Sequence, residues 1–177
     1  MTVPGGDTVE FVETSKMTNG AYVKMFATSP PGAIRVPPHV HLRQKEKFDV
    51  QSGRLTYRLK GKQASVGPGE SLELPAGVAH EHWNAESEPL VTFWTISPGL
   101  DFDYLLENAN GLAREGKIPN GQVPVLQAVV WLRRMKSTLF PAGRPFWLIY
   151  PFSVVVAPIA ELLGYRAVYK RFSGEEW

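Results

Sequence analysis

The four histidines of this chain lie in two short segments that could bind a metal ion. His39 and His41 are separated by one residue, and so are His80 and His82. On a β-strand, residues i and i+2 project from the same face about 6.5–7 Å apart, so each pair presents two imidazoles to one side. Two such imidazoles can share a metal ion at about 2.0–2.1 Å from each nitrogen. The spacing therefore indicates a metal site.

Glu46 is expected to join the first histidine pair. It falls in register with Phe48 and Val50, the apolar and therefore inward positions of the strand that follows. A carboxylate in an apolar interior is costly unless a metal ion or a strong hydrogen-bond partner meets it. A third imidazole from the second pair would join His39, His41 and Glu46 to complete a set of three nitrogens and one oxygen. Such a set suits Fe, Mn, Ni, Co, Cu or Zn and does not choose among them.

The elements that must position these side chains are short strands over residues 8–100. Apolar residues alternate with polar ones at Leu55, Tyr57 and Leu59, and again at Leu72 and Leu74, which predicts strands with one buried face. Residues 89–96 are apolar on both faces, which is typical of a central or interface strand. Many short strands punctuated by Gly and Pro predict a sandwich, a jelly roll or a barrel.

The composition changes near residue 101, where helical spacing begins. Asp101 is a good N-cap for a helix over 101–117 whose apolar positions are Phe102, Leu105, Leu106 and Ala109. A second helix is predicted over 123–140, with one apolar stripe and a solvated basic end. The stripe consists of Val125, Val129 and Leu132, and the basic end of Arg133, Arg134 and Lys136. Helical pieces kinked or broken at Pro151 and Pro158 are expected beyond Phe146.

Residues 146–164 have three possible locations. The segment carries a single charge, Glu161, and its length is near the roughly 20 residues that a bilayer span needs. Its two prolines, its serine and its glutamate favour a helix buried on the barrel or in a dimer interface over contact with a membrane. A membrane-surface anchor remains the third alternative.

The bulk composition narrows the class of protein. The chain has no cysteine, which excludes a disulfide framework and thiolate metal ligands, and its net charge of +2 gives no argument for nucleic acid. The N-terminal residues lack the basic and then apolar order of a secretory signal. We therefore expect a cytoplasmic protein that does not bind nucleic acid.

The two histidine segments resemble the paired motifs of the cupin superfamily. The first motif is matched by Gly32, His39, His41, Glu46 and Gly53, with four residues between His41 and Glu46 and six between Glu46 and Gly53. The second is matched in full by Gly69, Pro75, Gly77, His80 and Asn84. Leu42 stands where many relatives have proline, and Lys45, expected to point outward, stands where a second glutamate is common. The C-terminal part is similar to that of small bacterial single-domain cupins with a helical extension ending in Gly-Tyr-Arg, here residues 164–166.

The resemblance implies a mainly β fold. Residues 1–100 would form a jelly-roll barrel that binds the metal through His39, His41, Glu46 and His80, and residues 101–177 would form a helical extension packed on the barrel or in a homodimer interface. Glu46 could instead swing away and act as a base. His82 is either a proton shuttle or a structural histidine. Asn84 is expected to be structural, Tyr57 to fill the core, and Trp94, Trp131 and Trp147 to pack.

Two functions from different classes follow from the resemblance. In the first, the protein is a metal-dependent enzyme, such as a dioxygenase or a Lewis-acid isomerase, cyclase or decarboxylase, whose small organic substrate chelates the metal at open positions. Glu46 and His82 would then be the catalytic residues that move the proton. In the second, the barrel is a non-catalytic module that binds a metal or a small ligand. The fold does not decide between them.

Overall fold

Alternating polar and apolar residues form strands where the sequence predicts them. The computed structural model of the protein describes residues 1–2, 6–135 and 139–176. Glu46, Phe48 and Val50 are buried along one strand, whereas Lys45 is exposed, as its position in the alternation predicts. The described residues form these strands: β1 (Thr8–Glu13), β2 (Val23–Ser29), β3 (His39–His41), β4 (Lys45–Ser52), β5 (Leu55–Leu59), β6 (Lys62–Val66), β7 (Ser71–Leu74), β8 (His80–Asn84), β9 (Leu90–Ser97) and β10 (Leu139–Pro141).

The strands form two antiparallel five-stranded sheets, as in a jelly-roll barrel. The order in the first sheet is β1-β2-β9-β4-β7, and in the second it is β10-β3-β8-β5-β6. Strand β9 lies between β2 and β4, which confirms the central position that its two apolar faces predict. The prediction of a mainly β fold with a helical C-terminal part is confirmed.

The helices follow the ninth strand. They are α1 (Phe102–Arg114), α2 (Val125–Arg134), α3 (Phe146–Leu162) and α4 (Lys170–Ser173), with a 3-10 turn at Pro119–Gly121. Asp101 occupies the N-cap position of α1, although its side chain makes no capping hydrogen bond. Phe102 and Leu105 are buried as the helical spacing predicts, and Leu106 and Ala109 are partly buried.

Helix α1 packs its buried residues against one face of the first sheet. Strand register places Val23 and Met25 of β2 on the same face of the first sheet as Ile96 of β9 and Glu46 of β4. These apolar residues share one buried cluster with Phe102 and other residues of the C-terminal helices. The barrel and the C-terminal helices therefore have a common core.

The predicted helix over 123–140 is wrong at its C-terminal end. Leu139–Pro141 form strand β10, which pairs with β3, and helix α2 already ends at Arg134. Pairing with the free edge of β3 prevails here over the helical pattern, because an edge strand offers unpaired backbone groups. Lys136 lies outside the described residues.

The predicted apolar stripe of α2 is confirmed at Val129, which is buried, and Leu132 is partly buried. Val125 is exposed, and the buried residues of the helix are Gln127, Val129, Val130 and Trp131. Arg134 is exposed at the end of the helix, as predicted, and it also donates two hydrogen bonds to Glu161 of helix α3 at 2.6 and 3.0 Å. Arg133 lies 3.9 Å from the same carboxylate.

Helix α3 is continuous and largely exposed. It runs without a break through Pro151 and Pro158, because packing against α2 holds it although each proline removes one backbone hydrogen bond. It is also not buried on the barrel: Ser153, Ala157 and Ala160 are its buried residues, while Trp147 is 72% and Leu162 88% exposed. Among the described residues, no helix has the length and apolar character needed to cross a membrane.

Candidate metal centre

Three strands, two adjacent in one sheet and one in the other, bring the predicted ligand residues to one point inside the barrel. His39 and His41 project from β3, His80 lies at the start of β8 directly opposite His39, and Glu46 projects from β4 in the other sheet. Each of the four residues is at most 7% exposed. Each offers one ligand atom, and these atoms all lie within 4.8 Å of one another.

Contacts with the carboxylate define the centre of the group. Glu46 Oε1 lies 3.2 Å from His41 Nε2, and Glu46 Oε2 lies 2.7 Å from His80 Nε2. Two ligands bound on opposite sides of one ion at about 2.1 Å each would be about 4.2 Å apart. The spacing of the four atoms thus needs only small side-chain shifts to match a single ion.

Backbone carbonyls orient two of the imidazoles. The oxygen of Pro37 lies 2.9 Å from His39 Nδ1, and the oxygen of Val78 lies 2.8 Å from His80 Nδ1. A carbonyl can only accept, so in each ring Nδ1 carries a proton, and in the neutral ring Nε2 then keeps its lone pair. Metal-bound histidines are commonly held in this way.

Unpaired buried atoms in the group fit a cation. Within the described ranges, both ring nitrogens of His41, both oxygens of Glu46 and Nε2 of His80 lack a partner in hydrogen-bond geometry. Buried polar atoms are rarely left in this state, because each costs about 1–3 kcal/mol when unsatisfied. A divalent ion would satisfy most of these atoms at once, and the donor set of nitrogen and oxygen is one that such ions accept.

The charges in the group depend on one another. Burial raises the pKa of the Glu46 carboxyl, but His41, His80 and His82 together hold this pKa well below its usual range. Burial lowers the pKa of His39 to about 4, so its ring is neutral at pH 7. For His80, burial acts to lower the pKa, yet the Glu46 carboxylate prevails and the pKa is raised. An ionised carboxylate beside neutral His39 is a protonation state suited to binding a cation.

Turns between the motifs hold the ligand strands in place. The Gly77 backbone N–H donates to the carbonyl of His41 at 2.8 Å, which ties the turn before His80 to strand β3. Gly53 has a φ of +76°, and a Cβ there would lie 2.5 Å from the oxygen of Pro89. Only glycine therefore fits where the turn after β4 passes the start of β9.

Aromatic rings lie next to the group of four inside the barrel. The ring of His82 lies 6.4 Å from that of His39 and 4.5 Å from that of Phe48. Trp94 stacks on Phe48 at 5.6 Å, and Phe102 lies 5.8 Å from His41. Burial lowers the pKa of His82. His82 is thus next to the group of four but does not belong to it.

Sequence reasoning found the group of four but missed some of its surroundings. Asn84 donates to the backbone oxygens of Ser29 and Glu88, which is the structural role expected of it. Phe102, expected only as an apolar position of a helix, reaches the ligands because α1 covers the barrel, and no local pattern reveals this. Buried Gln44, which donates to the carbonyls of Pro98 and Gly99, was also missed.

Comparison with known proteins agrees with this geometry. The family model of the cupin domain matches residues 25–96. A protein of Hypocrea virens called probable oxidoreductase virH is 30% identical over 149 residues, which cover 78% of this chain and 68% of that protein. The chain is a cupin. A second relative, oxidoreductase iacF of Pestalotiopsis fici, is 26% identical to this cupin over 67% of the chain and 63% of its own length.

Solved structures also resemble this cupin. An uncharacterised conserved protein with a double-stranded β-helix domain from Klebsiella pneumoniae is 22% identical, with a TM-score of 0.46, over 54% of this chain and 79% of that one. A predicted oxalate decarboxylase of Thermotoga maritima is 21% identical, with a TM-score of 0.48, over 52% of this chain and 81% of that one. The cupin spans about two thirds of the length of its two curated relatives.

Proposed function

We propose that this cupin is a metal-dependent oxidoreductase of the dioxygenase type, acting on a small organic substrate that chelates the metal. The observation that supports the proposal most is the buried group of three imidazoles and one carboxylate with unpaired ligand atoms. The names of the two curated relatives, both oxidoreductases, favour this reaction class over an isomerase, a cyclase or a decarboxylase.

His39, His41, His80 and Glu46 are the proposed ligands. Fe, Mn, Ni, Co, Cu or Zn would fit this set; when bound, such an ion supplies a Lewis acid and, for the redox-active metals, a centre for oxygen chemistry. The backbone bonds at Pro37 and Val78 keep the Nε2 atoms of His39 and His80 directed inward. Phe102 and the core around it exclude water from one side of the group.

Glu46 and His82 are the proposed groups that move the proton. Glu46 is in reach of the substrate's site because it contacts the ligand nitrogens directly, and it can hold a proton at Oε1 or Oε2. His82 lies one ring further from the group and is partly buried, so its imidazole can pass a proton between the interior and the solvent.

Elemental mass spectrometry and oxygen uptake together test the function. Protein prepared without added metal and without a histidine tag is expected to contain a near-stoichiometric redox-active metal. It should consume oxygen with a chelating diketone or a flavonol, and His82→Gln should reduce this rate while keeping the metal. A protein that holds a metal but turns over none of these compounds would favour the non-catalytic binding module. Absence of metal, even after incubation with each candidate ion, would refute the metal site.

We also propose that the cupin forms a homodimer through helix α3 and that it acts in the cytoplasm. The exposed face of α3 is apolar along its length, from Trp147 through Phe152 and Val155 to Leu162. Soluble proteins rarely expose an apolar patch of this size, and a second copy offers an equally uncharged surface. Residues 1–100 and 101–177 are proposed as the barrel and the extension that carries this interface. Sedimentation of the wild type as a monomer, or its flotation with lipid vesicles, would contradict the dimer.

A further inference from the structure

A layer of aromatic side chains lies next to the proposed ligands. Trp94 stacks on Phe48, its ring lies 6.2 Å from that of His82, and the ring of Phe102 lies 5.4 Å away at an interplanar angle of 79°. Phe102 in turn lies 5.8 Å from His41. Only the ring of Phe102 lies between Trp94 and His41 in this chain of contacts, and His82 likewise connects Trp94 to His39.

Strand register fixes the position of this layer in the barrel. Glu46 pairs with Ile96, and two residues further along the same strands Phe48 pairs with Trp94. Trp94 therefore faces the same interior as Glu46, one step along the barrel. Glu46, Phe48 and Phe102 are buried, whereas Trp94 and His82 are partly exposed.

The indole nitrogen of Trp94 has no partner in the described part of the chain, although the atom itself is buried. Trp131 shows the usual arrangement, because its Nε1 donates to the carbonyl of Ala167 at 3.0 Å. A buried tryptophan N–H normally finds an acceptor, so the free donor of Trp94 requires an explanation.

The charged side chains of the barrel limit which kind of molecule could accept a hydrogen bond from Trp94 Nε1. No lysine or arginine that the structure describes is among the buried residues, so the interior offers no side-chain cation to a phosphate. The aromatic rings and one N–H donor, Trp94 Nε1, are what this part of the interior offers instead. Planar conjugated molecules stack on the faces of such rings, and an oxygen on their edge can accept the N–H bond.

We propose that Trp94 is the residue that positions the substrate, and that the substrate is a planar conjugated compound whose oxygen accepts a hydrogen bond from Trp94 Nε1 while it chelates the metal. This inference rests on the proposed function and narrows it to one substrate class. Phe48 and Phe102 hold the indole ring from two sides, which fixes the direction of its donor.

The first test needs no metal. Trp94→Phe and Trp131→Phe remove the same side-chain volume, but only the second breaks a hydrogen bond in the free protein. We expect the Tm of metal-free Trp131→Phe to lie about 2–4 °C below that of Trp94→Phe, which corresponds to one hydrogen bond in a chain of this size. Equal losses of Tm would show that Trp94 Nε1 already has a partner and would overturn the inference.

The second test measures ligand affinity in the metal-loaded protein. Tropolone, a planar conjugated chelator, is titrated into wild type, Trp94→Phe and Trp131→Phe, each loaded with the same metal to the same content. Trp94→Phe is expected to bind tropolone about tenfold more weakly, the equivalent of about 1.4 kcal/mol, and Trp131→Phe within twofold of wild type. Acetohydroxamic acid, a chelator without a conjugated ring, serves for comparison. The ratio of tropolone affinity to acetohydroxamic acid affinity should be larger for the metal-loaded wild type than for the free metal ion.

The outcomes separate this inference from the function on which it rests. Equal tropolone affinity in wild type and Trp94→Phe at equal metal content would overturn the role of Trp94 and leave the metal-dependent function intact. Wild type that takes up no metal would overturn both. Loss of metal from Trp94→Phe would show that the residue supports the ligands and does not act on the substrate.

Discussion

The barrel interior and helix α3 depart in opposite directions from the usual distribution of polar and apolar side chains. The interior holds His39, His41, Glu46 and His80 at no more than 7% exposure. Helix α3 leaves large apolar side chains in solvent, among them Trp147, Val155 and Leu162, which are 72%, 68% and 88% exposed. Buried ionisable groups and exposed apolar patches are the two exceptions that call for an explanation in a folded chain.

The two regions differ in the kind of partner that would stabilise them. In the interior, buried atoms of His41, Glu46 and His80 that lack a partner in hydrogen-bond geometry among the described residues fit a cation. On α3, large apolar side chains are exposed, and an apolar surface would fit them. The interior thus has these buried polar atoms without partners, and α3 has apolar side chains in solvent. Substitutions can change each of these two features separately.

Removal of one ligand should produce the largest effect. His41→Ala is expected to lose essentially all bound metal because it takes one nitrogen from a set of four ligand atoms. His82→Ala, which alters the histidine outside the group, should keep the metal. Elemental mass spectrometry of both variants measures this, and circular dichroism checks that the barrel stays folded. Full metal content in His41→Ala would refute the ligand assignment.

The same substitution made in both regions should have unequal effects on stability. Phe102, the first residue of α1, is 1% exposed in the core that the barrel shares with the C-terminal helices. Phe102→Ala should therefore lower the free energy of unfolding by about 3–5 kcal/mol. Phe152 on α3 is 52% exposed, and Phe152→Ala should change it by no more than about 0.5 kcal/mol in the dilute, monomeric protein. Urea unfolding at low protein concentration gives both values. Similar losses would show that α3 is buried in solution.

A charge placed on α3 should weaken self-association. Val155→Glu is expected to raise the dimer dissociation constant about 100-fold, the equivalent of about 2.7 kcal/mol, because it would bury an unpaired carboxylate in the interface. Met17→Glu, at a residue that is 67% exposed outside α3, serves as the control. Analytical ultracentrifugation measures both variants. An unchanged dissociation constant for Val155→Glu would exclude this face as the interface.

The smallest expected effect concerns the ion pair that joins α2 to α3. Arg134 lowers the pKa of Glu161 below its ordinary value of 4.5, so the pair stabilises the folded protein above this pH and the contribution is lost as the pH falls through the folded-state pKa. Both side chains are partly exposed, which limits the contribution to about 0.5 kcal/mol. Urea unfolding of wild type and Glu161→Gln should therefore differ by this amount at pH 7 and agree near pH 2. A difference that persists in acid would have another origin.

Strand patterns and histidine spacing predicted the β fold and the group of four. The period of two residues in β4 determined that Glu46 points inward, and paired motifs indicated which histidines meet. The C-terminal part was harder to predict, because an apolar helix has the same pattern whether another helix, a second copy or a membrane covers it. For this reason the sequence left three locations open for helix α3, and it predicted the buried position of Val129 on α2 but not the exposure of Val125.

Long-range pairing was the other feature beyond the reach of local pattern. Leu139 and Pro141 of β10 lie opposite His41 and His39 of β3, nearly one hundred residues earlier in the chain. Only strand pairing in three dimensions brings them together, so the sequence around residue 140 was interpreted as the end of a helix.

This pairing sets an order of events during synthesis on the ribosome. Strand β3 emerges early, but one of its edges lacks its partner until residues 139–141 have left the exit tunnel. Until then the nascent chain presents an open edge that carries two of the histidines, and open edges are where chains join incorrectly. A shortened version that ends near residue 100 lacks β10, so the edge of β3 that β10 covers stays unpaired.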